Sequence, residues 1–177
     1  MKKPDPENKL TLLFLIEKMD LPLNRGQITD YIIKDALMDY FTLQKTLAEL
    51  IEGGYLEAET QDNKTLYSIT DEGLNILEMF GKRISSEVRA KINAFVKEQK
   101  REIQREFENT AIFFPGADGL EYLVKCGVYE EGRVLMELSL TVDTRDQARL
   151  IQSNWKENAK IIYGEIIRAL AAKREIK

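Results

Sequence analysis

"GGYLEAETQDNKTLYSITDEGLNIL" (residues 53–77) decides how this chain folds. Leu56 to Thr60 and Thr65 to Ile69 each alternate apolar and polar side chains, the period of a half-buried strand. Between them Gln61-Asp62-Asn63-Lys64 is turn chemistry, so the pair reads as a β-hairpin. Thr70 then predicts a helix that begins at once. Its hydroxyl caps the first turn, and Asp71 and Glu72 lie at the positive end of the helix dipole. Ahead of the hairpin, Gly53-Gly54 predicts the end of another helix, where a left-handed residue meets no Cβ penalty.

Upstream of those glycines, Leu43, Leu47, Leu50 and Ile51 share one helical face, giving a helix over 39–53. Asp35 to Asp39 reads as the turn before it. Asn24 with Gln27 three residues later is a capping-box pattern, opening a second helix through Ile28, Tyr31 and Ile32. Leu21-Pro22-Leu23 separates that helix from a first one over Asn8 to Met19, in which Leu10, Leu13, Phe14 and Ile16 form a broad stripe. Pro4 and Pro6 mark a loose start. Three helices, a hairpin and a fourth helix within 1–80 form one small domain, and that order predicts a winged helix-turn-helix with its wing at 56–69.

The stretch "TLQKTLAELIEGGYLEAE…KTLYSITDEGLNIL" (42–77) resembles the recognition helix, wing and following helix of MarR- and PadR-type bacterial regulators. Its Tyr67-Ser68-Ile69-Thr70-Asp71-Glu72-Gly73 exit is the most specific part of the likeness. Over its whole length the chain also resembles a bacterial family of unknown function predicted to be transcriptional regulators, through "NRGQIT", "YFTLQKTLAEL" and "LTVDTRDQARLIQSNWKENAKIIY". The first resemblance implies a DNA-binding regulator; the second covers nearly all of the chain but brings little function with it.

Beyond residue 80 the pattern changes twice. Gly81 and Ser85-Ser86 interrupt the helix, and Ile84, Val88, Ile92, Phe95, Ile103 and Phe107 then mark a connecting helix over 81–109. That stripe either packs on its own domain or forms a dimer seam. After a turn cluster at Pro115-Gly116-Ala117-Asp118-Gly119, alternation from Tyr122 to Val128 and from Val134 to Val142 predicts two antiparallel strands joined at Glu130-Glu131-Gly132. Ala111 to Phe114 adds a third. Thr144 with Gln147 starts a long last helix, whose Ala148, Ile151, Trp155, Ala159, Ile162, Ile166 and Leu170 form a continuous stripe. The fold class is therefore α+β: a winged helix-turn-helix, a connecting helix, and a small antiparallel sheet with one long helix over 110–177.

Composition narrows the chemistry. The 177 residues contain no histidine and one cysteine, Cys126, which excludes imidazole acid–base chemistry, histidine-ligated metals and any intrachain disulfide. No phosphate-cradling glycine loop and no cysteine-pair zinc pattern is present. No enzyme activity, cofactor or metal is expected. The longest apolar run, Leu10 to Ile16, is far short of the roughly 20 residues that cross a bilayer. The expected setting is the cytoplasm, away from membranes.

The expected DNA-reading face lies opposite the apolar stripe of helix 39–53: Tyr40, Phe41, Gln44, Lys45 and Ala48. Gln44 suits adenine, Lys45 guanine or phosphate, and Thr42 a phosphate, while Lys64 at the wing tip would reach the neighbouring backbone. Phe41 has a second reading, packed under the preceding turn. Net charge weighs against duplex binding, because residues 1–80 carry 8 Lys+Arg against 15 Asp+Glu. An acidic domain forfeits part of the counterion-release affinity for duplex DNA. The basic residues Lys82, Arg83, Arg89, Lys91, Lys97, Lys100, Arg101 and Arg105 read as a solvated helix face. Cys126 and Trp155 read as core residues, and Tyr122, Met136 and Trp155 as either core or the lining of an effector pocket.

The expected function is sequence-specific binding of double-stranded DNA by a homodimeric transcriptional regulator. The C-terminal unit would serve dimerisation, a small-molecule effector, or both. The alternative is a winged-helix protein–protein interaction module that does not bind DNA.

Overall fold

The computed structural model describes residues 5–61, 63–106, 109–130 and 133–174. Asp62 of the predicted hairpin turn, Phe107, and Glu131 and Gly132 of the predicted second turn lie outside the described residues, as does the side chain of Ile103. The elements run α1 (Pro6–Met19), β1 (Leu23–Asn24), α2 (Arg25–Lys34), α3 (Tyr40–Glu52), β2 (Leu56–Gln61), β3 (Lys64–Ile69), α4 (Asp71–Phe80), a 3-10 turn (Gly81–Arg83), α5 (Ser86–Glu106), β4 (Asn109–Pro115), β5 (Tyr122–Glu130), β6 (Arg133–Val142) and α6 (Arg145–Ala171). The class is α+β, with two three-stranded sheets ordered β1-β3-β2 and β4-β5-β6.

The chain divides into two compact units, Met1–Lys100 with Phe114–Leu120, and Arg101–Phe113 with Glu121–Lys177. The first unit therefore extends past residue 80. Ile84, Ile92 and Val96 are buried, and Phe95 of α5 stacks on Tyr31 of α2 with ring centroids 3.8 Å apart.

In that first unit α1 is the central element. Leu12, Leu13 and Leu15 are wholly buried, along with Leu10, Phe14, Ile16 and Met19. The single broad stripe expected for this helix is thus an underestimate: it is covered on nearly every side, so Leu12 and Leu15 belong to the core. Each such leucine contributes roughly 1.5–3 kcal/mol by leaving water. The capping box at α2 forms as the sequence predicts. Asn24 Oδ1 accepts from the Gln27 N–H, and Gln27 Oε1 accepts from the Asn24 N–H, both at 2.9 Å.

Strand β1 is a two-residue element inside the predicted break, where Leu23 pairs with Tyr67 and Asn24 with Leu66. β2 and β3 pair antiparallel from Leu56↔Ile69 to Gln61↔Lys64, one residue longer at the turn than the alternation alone predicts. α3 stops at Gly54, which is left-handed at φ 74°. The Tyr55 N–H closes the cap on Leu50 O at 2.9 Å. Thr70 joins both ends of the hairpin: its hydroxyl accepts from the Gly73 N–H at 3.1 Å and donates to Gly54 O at 2.6 Å. The order of elements and the β1-β3-β2 sheet are compatible with a winged helix-turn-helix.

In the second unit α6 covers one face of the sheet. Trp155, Ala148 and Ala159 pack on Phe113, Val124, Cys126 and Val128, with Tyr122, Met136 and Leu138 at the margin. The Trp155 indole N–H donates to Gly127 O at 3.2 Å, and the Gln152 amide to Ala111 O at 3.2 Å. The apolar stripe on α6 is not buried to its end. Leu170 is 77% exposed, because the backbone kinks at Asn158 (φ −128°) and a helix of about 40 Å outruns the sheet it covers.

Candidate nucleic-acid interface

Asp39 caps α3 and sets its first turn. Its carboxylate accepts from the Thr42 N–H at 3.0 Å and from the Thr42 hydroxyl at 2.5 Å. These bonds, the hydroxyl's foremost, hold the Asp39 carboxyl below its ordinary value. Thr42 is half-buried with its hydroxyl proton committed to Asp39, so it must release that carboxylate before it can donate to a phosphate.

Tyr40 and Phe41 occupy the first two helical positions and meet edge-to-face, 5.8 Å between centroids. Phe41 is 82% exposed and Tyr40 51%. Packing under the preceding turn, the other reading of Phe41, would have buried it. Ala48 is also exposed, whereas Gln44 and Lys45 are half-buried. The Gln44 amide nitrogen is shielded from solvent and has no hydrogen-bond partner among the described residues. Leaving such a donor unpaired costs about 1–3 kcal/mol. Reading an adenine edge needs that donor, so Gln44 would have to rotate outward. Lys64, at the start of β3, is exposed opposite Gln61.

Two features of this surface carry no sequence signal. Arg25, the first residue of α2, donates to the Tyr67 hydroxyl through Nε at 3.1 Å and Nη2 at 2.9 Å. Tyr67 is buried, so the bond fixes the hairpin to α2 and occupies the Arg25 guanidinium. A partner 42 residues away leaves no periodic trace. The 116–119 turn also reaches the hairpin's base. Ala117 O accepts from the Asp71 N–H at 3.0 Å. Burial pushes the Glu57 carboxyl up from its ordinary value, and repulsion from Glu72, Asp118 and Glu59 adds to it.

Carboxylates therefore gather along β2, with Glu72 and Asp118 acting on Glu57 beside Glu59. Lys9, near α3, is bound to Glu49 at 2.8 Å. Across residues 35–69, Lys45 and Lys64 stand against Asp35, Asp39, Glu49, Glu52, Glu57, Glu59 and Asp62. Three of the basic residues that follow are used locally. Arg89 donates through Nε to Ile84 O at 3.2 Å and through Nη2 to Gly81 O. Arg83 lies over the Phe80 ring, and Lys91 pairs with Glu87 at 3.0 Å. The side chain of Arg105 lies outside the described residues.

Of the other candidates, Cys126 is buried, which pushes its thiol up to about 11 and leaves little thiolate at neutral pH. Trp155 is a core residue with its N–H satisfied. Among the described residues no helix is long and apolar enough to cross a membrane.

Residues 8–170 match the family model described as a domain of unknown function, DUF4364, and the chain belongs to that family. No curated protein and no solved structure matches it.

Proposed function

We propose that this protein is a DNA-binding transcriptional regulator of the winged helix-turn-helix kind, with α3 entering a major groove and the β2–β3 hairpin as the wing. One observation carries the reading: the order α1-β1-α2-α3-β2-β3 is closed by a β1-β3-β2 sheet, and Tyr40 and Phe41 in the first turn of α3 and Lys64 beside the hairpin turn are exposed. Helix-turn-helix proteins read bases from that turn. Tyr40, Phe41 and Lys45 would meet base edges, Gln44 would join them once rotated out, and Thr42 and Lys64 would meet phosphates. Phe41 suits a thymine methyl group. The regulator acts as a homodimer in the cytoplasm, and its second unit serves dimerisation, a small effector, or both.

Selection of bound duplexes from random DNA by the purified protein tests this. A cognate site should emerge, and Gln44→Ala should weaken it by roughly 1–3 kcal/mol while relaxing one position. Lys64→Ala should weaken all duplexes alike and make the salt slope shallower by about one ion per protomer. Failure to enrich any sequence at low salt removes the reading.

A second reading is favoured by the carboxylates along β2 and by the exposure of Phe41. It is a protein–protein interaction module in which Phe41 is the anchor, since aromatic residues dominate protein interfaces and an acidic surface opposes phosphates.

A further inference from the structure

β6 closes the second unit's sheet, and the order β4-β5-β6 leaves one side of this ten-residue strand without a partner among the described residues. From Met136 to Val142 it holds a regular register with β5, and a bulge interrupts pairing only beyond Met136, where Val128 and Tyr129 face β6. Edge strands in soluble proteins are blunted by lysine, proline, shortness or a bulge. Residues 136–142, Met-Glu-Leu-Ser-Leu-Thr-Val, contain no such device. Their one charge, Glu137, already accepts from the Tyr129 hydroxyl at 3.0 Å. On the helix side, Met136, Leu138, Leu140 and Val142 are only partly buried.

We propose that this edge is where two copies of the chain join, β6 pairing antiparallel with its symmetry mate so that two three-stranded sheets become one continuous sheet. The inference rests on the homodimeric reading above and names its seam, which the helix stripes alone would put on 84–107 or 148–170. A strand that pairs antiparallel with itself does so about a two-fold axis, as closed dimers require. With Ser139 on that axis, Met136 faces Val142 and Leu138 faces Leu140 on the helix side. Glu137 faces Thr141 on the other side, so no like charges meet. A slip of one residue would set apolar against polar positions and is excluded.

Area also points to a second copy rather than a foreign strand. Seven paired residues make a contact about 24 Å long and one strand wide, and a single strand edge does not by itself bury the roughly 800 Å² per partner of a stable interface. In the same unit α6 leaves Leu150 and Ile161 each 62% exposed, besides Leu170. A second copy brings an identical apolar helix along with its strand, whereas an isolated peptide strand brings backbone bonds alone.

The test uses the full chain with Ser139→Cys, at an exposed position on the polar face. Sedimentation equilibrium at micromolar concentration should give twice 20.4 kDa. Mild oxidation should then convert most of the variant to a disulfide-linked dimer, because directly opposed residues fall within disulfide reach. Cys126 is buried and should not link. Thr141→Cys, opposite Glu137 rather than itself, should link at least tenfold more slowly. Equal, slow linking of both variants in a protein that is still dimeric overturns the seam and leaves the dimer. A monomer overturns the seam and the dimer together, while duplex selection judges DNA binding separately. As a check free of substitutions, the alternate amides of 136–142 that point away from β5 should exchange at least tenfold faster after dilution below the dimer's dissociation constant, while those bonded to β5 stay protected. Exchange independent of concentration overturns the proposal.

Discussion

Replacing Thr70 with valine should detach the hairpin from the helices on either side of it. Valine keeps the volume and the extended backbone (φ −92°, ψ 171°) that Thr70 adopts as the cap of α4, so the change isolates the hydroxyl. That hydroxyl makes two bonds. Losing the acceptor for the Gly73 N–H removes an N-cap, at about 1 kcal/mol. Losing the donor to Gly54 O strands a carbonyl at a partly buried site, for about another 1–2 kcal/mol. The sum, about 2–3 kcal/mol, corresponds to roughly 10–20 °C in Tm for a unit of this size. Thr70→Ser keeps both bonds and loses one methyl, so it should cost about 0.8 kcal/mol. Urea unfolding followed by far-UV circular dichroism is the assay, because the one tryptophan, Trp155, lies in the second unit and does not report on the hairpin. If Thr70→Val falls within about 0.5 kcal/mol of wild type, the range of a neutral surface change, or Thr70→Ser is equally damaging, the hydroxyl is not what ties the hairpin to α3 and α4.

Glu57→Gln should raise Tm at pH 7, since burial and the neighbouring carboxylates disfavour the charged form. A raised carboxyl pKa means the folded state binds its proton more readily than the unfolded chain, so the wild type gains stability as pH falls through the carboxylate range. The advantage of glutamine should shrink there, and a calorimetric pH series checks it. The Cys126 thiol should react with a thiol reagent at about pH 8 at least a hundredfold more slowly in the folded protein than in urea. Its raised pKa also makes stability decline between about pH 9, where the unfolded thiol ionises, and about pH 11, where the folded one does. Phe41→Ala should change unfolding free energy by less than about 0.5 kcal/mol, as surface changes do. It should nonetheless weaken whichever ligand α3 binds, read by anisotropy for a selected duplex or by calorimetry for a protein partner.

Much of the fold is local and therefore legible in the chain. Asn24 and Gln27 are three residues apart and cap each other wherever the helix begins. Gly54 turns left-handed because it lacks a Cβ, and strict alternation from Met136 to Val142 states which face of β6 is apolar. These outcomes depend on interactions within a few residues, and their periods survive in any sequence. Tertiary structure decided what depends on who arrives from elsewhere. The alternation in 65–69 does not say that Leu23 and Asn24 will pair with it. Nor does a near-continuous apolar run say that α1 will be enclosed on nearly all sides, since burial is set by neighbours and not by the helix itself. Arg25 finds Tyr67 across 42 residues, and the 116–119 turn comes back to Asp71 and Glu57. Gln44 shows the limit most clearly at the candidate interface. Helical spacing puts its Cα on the outer face, but spacing fixes only the direction in which a side chain leaves the backbone. Whether its amide then meets water or is covered is settled by the packing of the whole unit, and here the amide is covered.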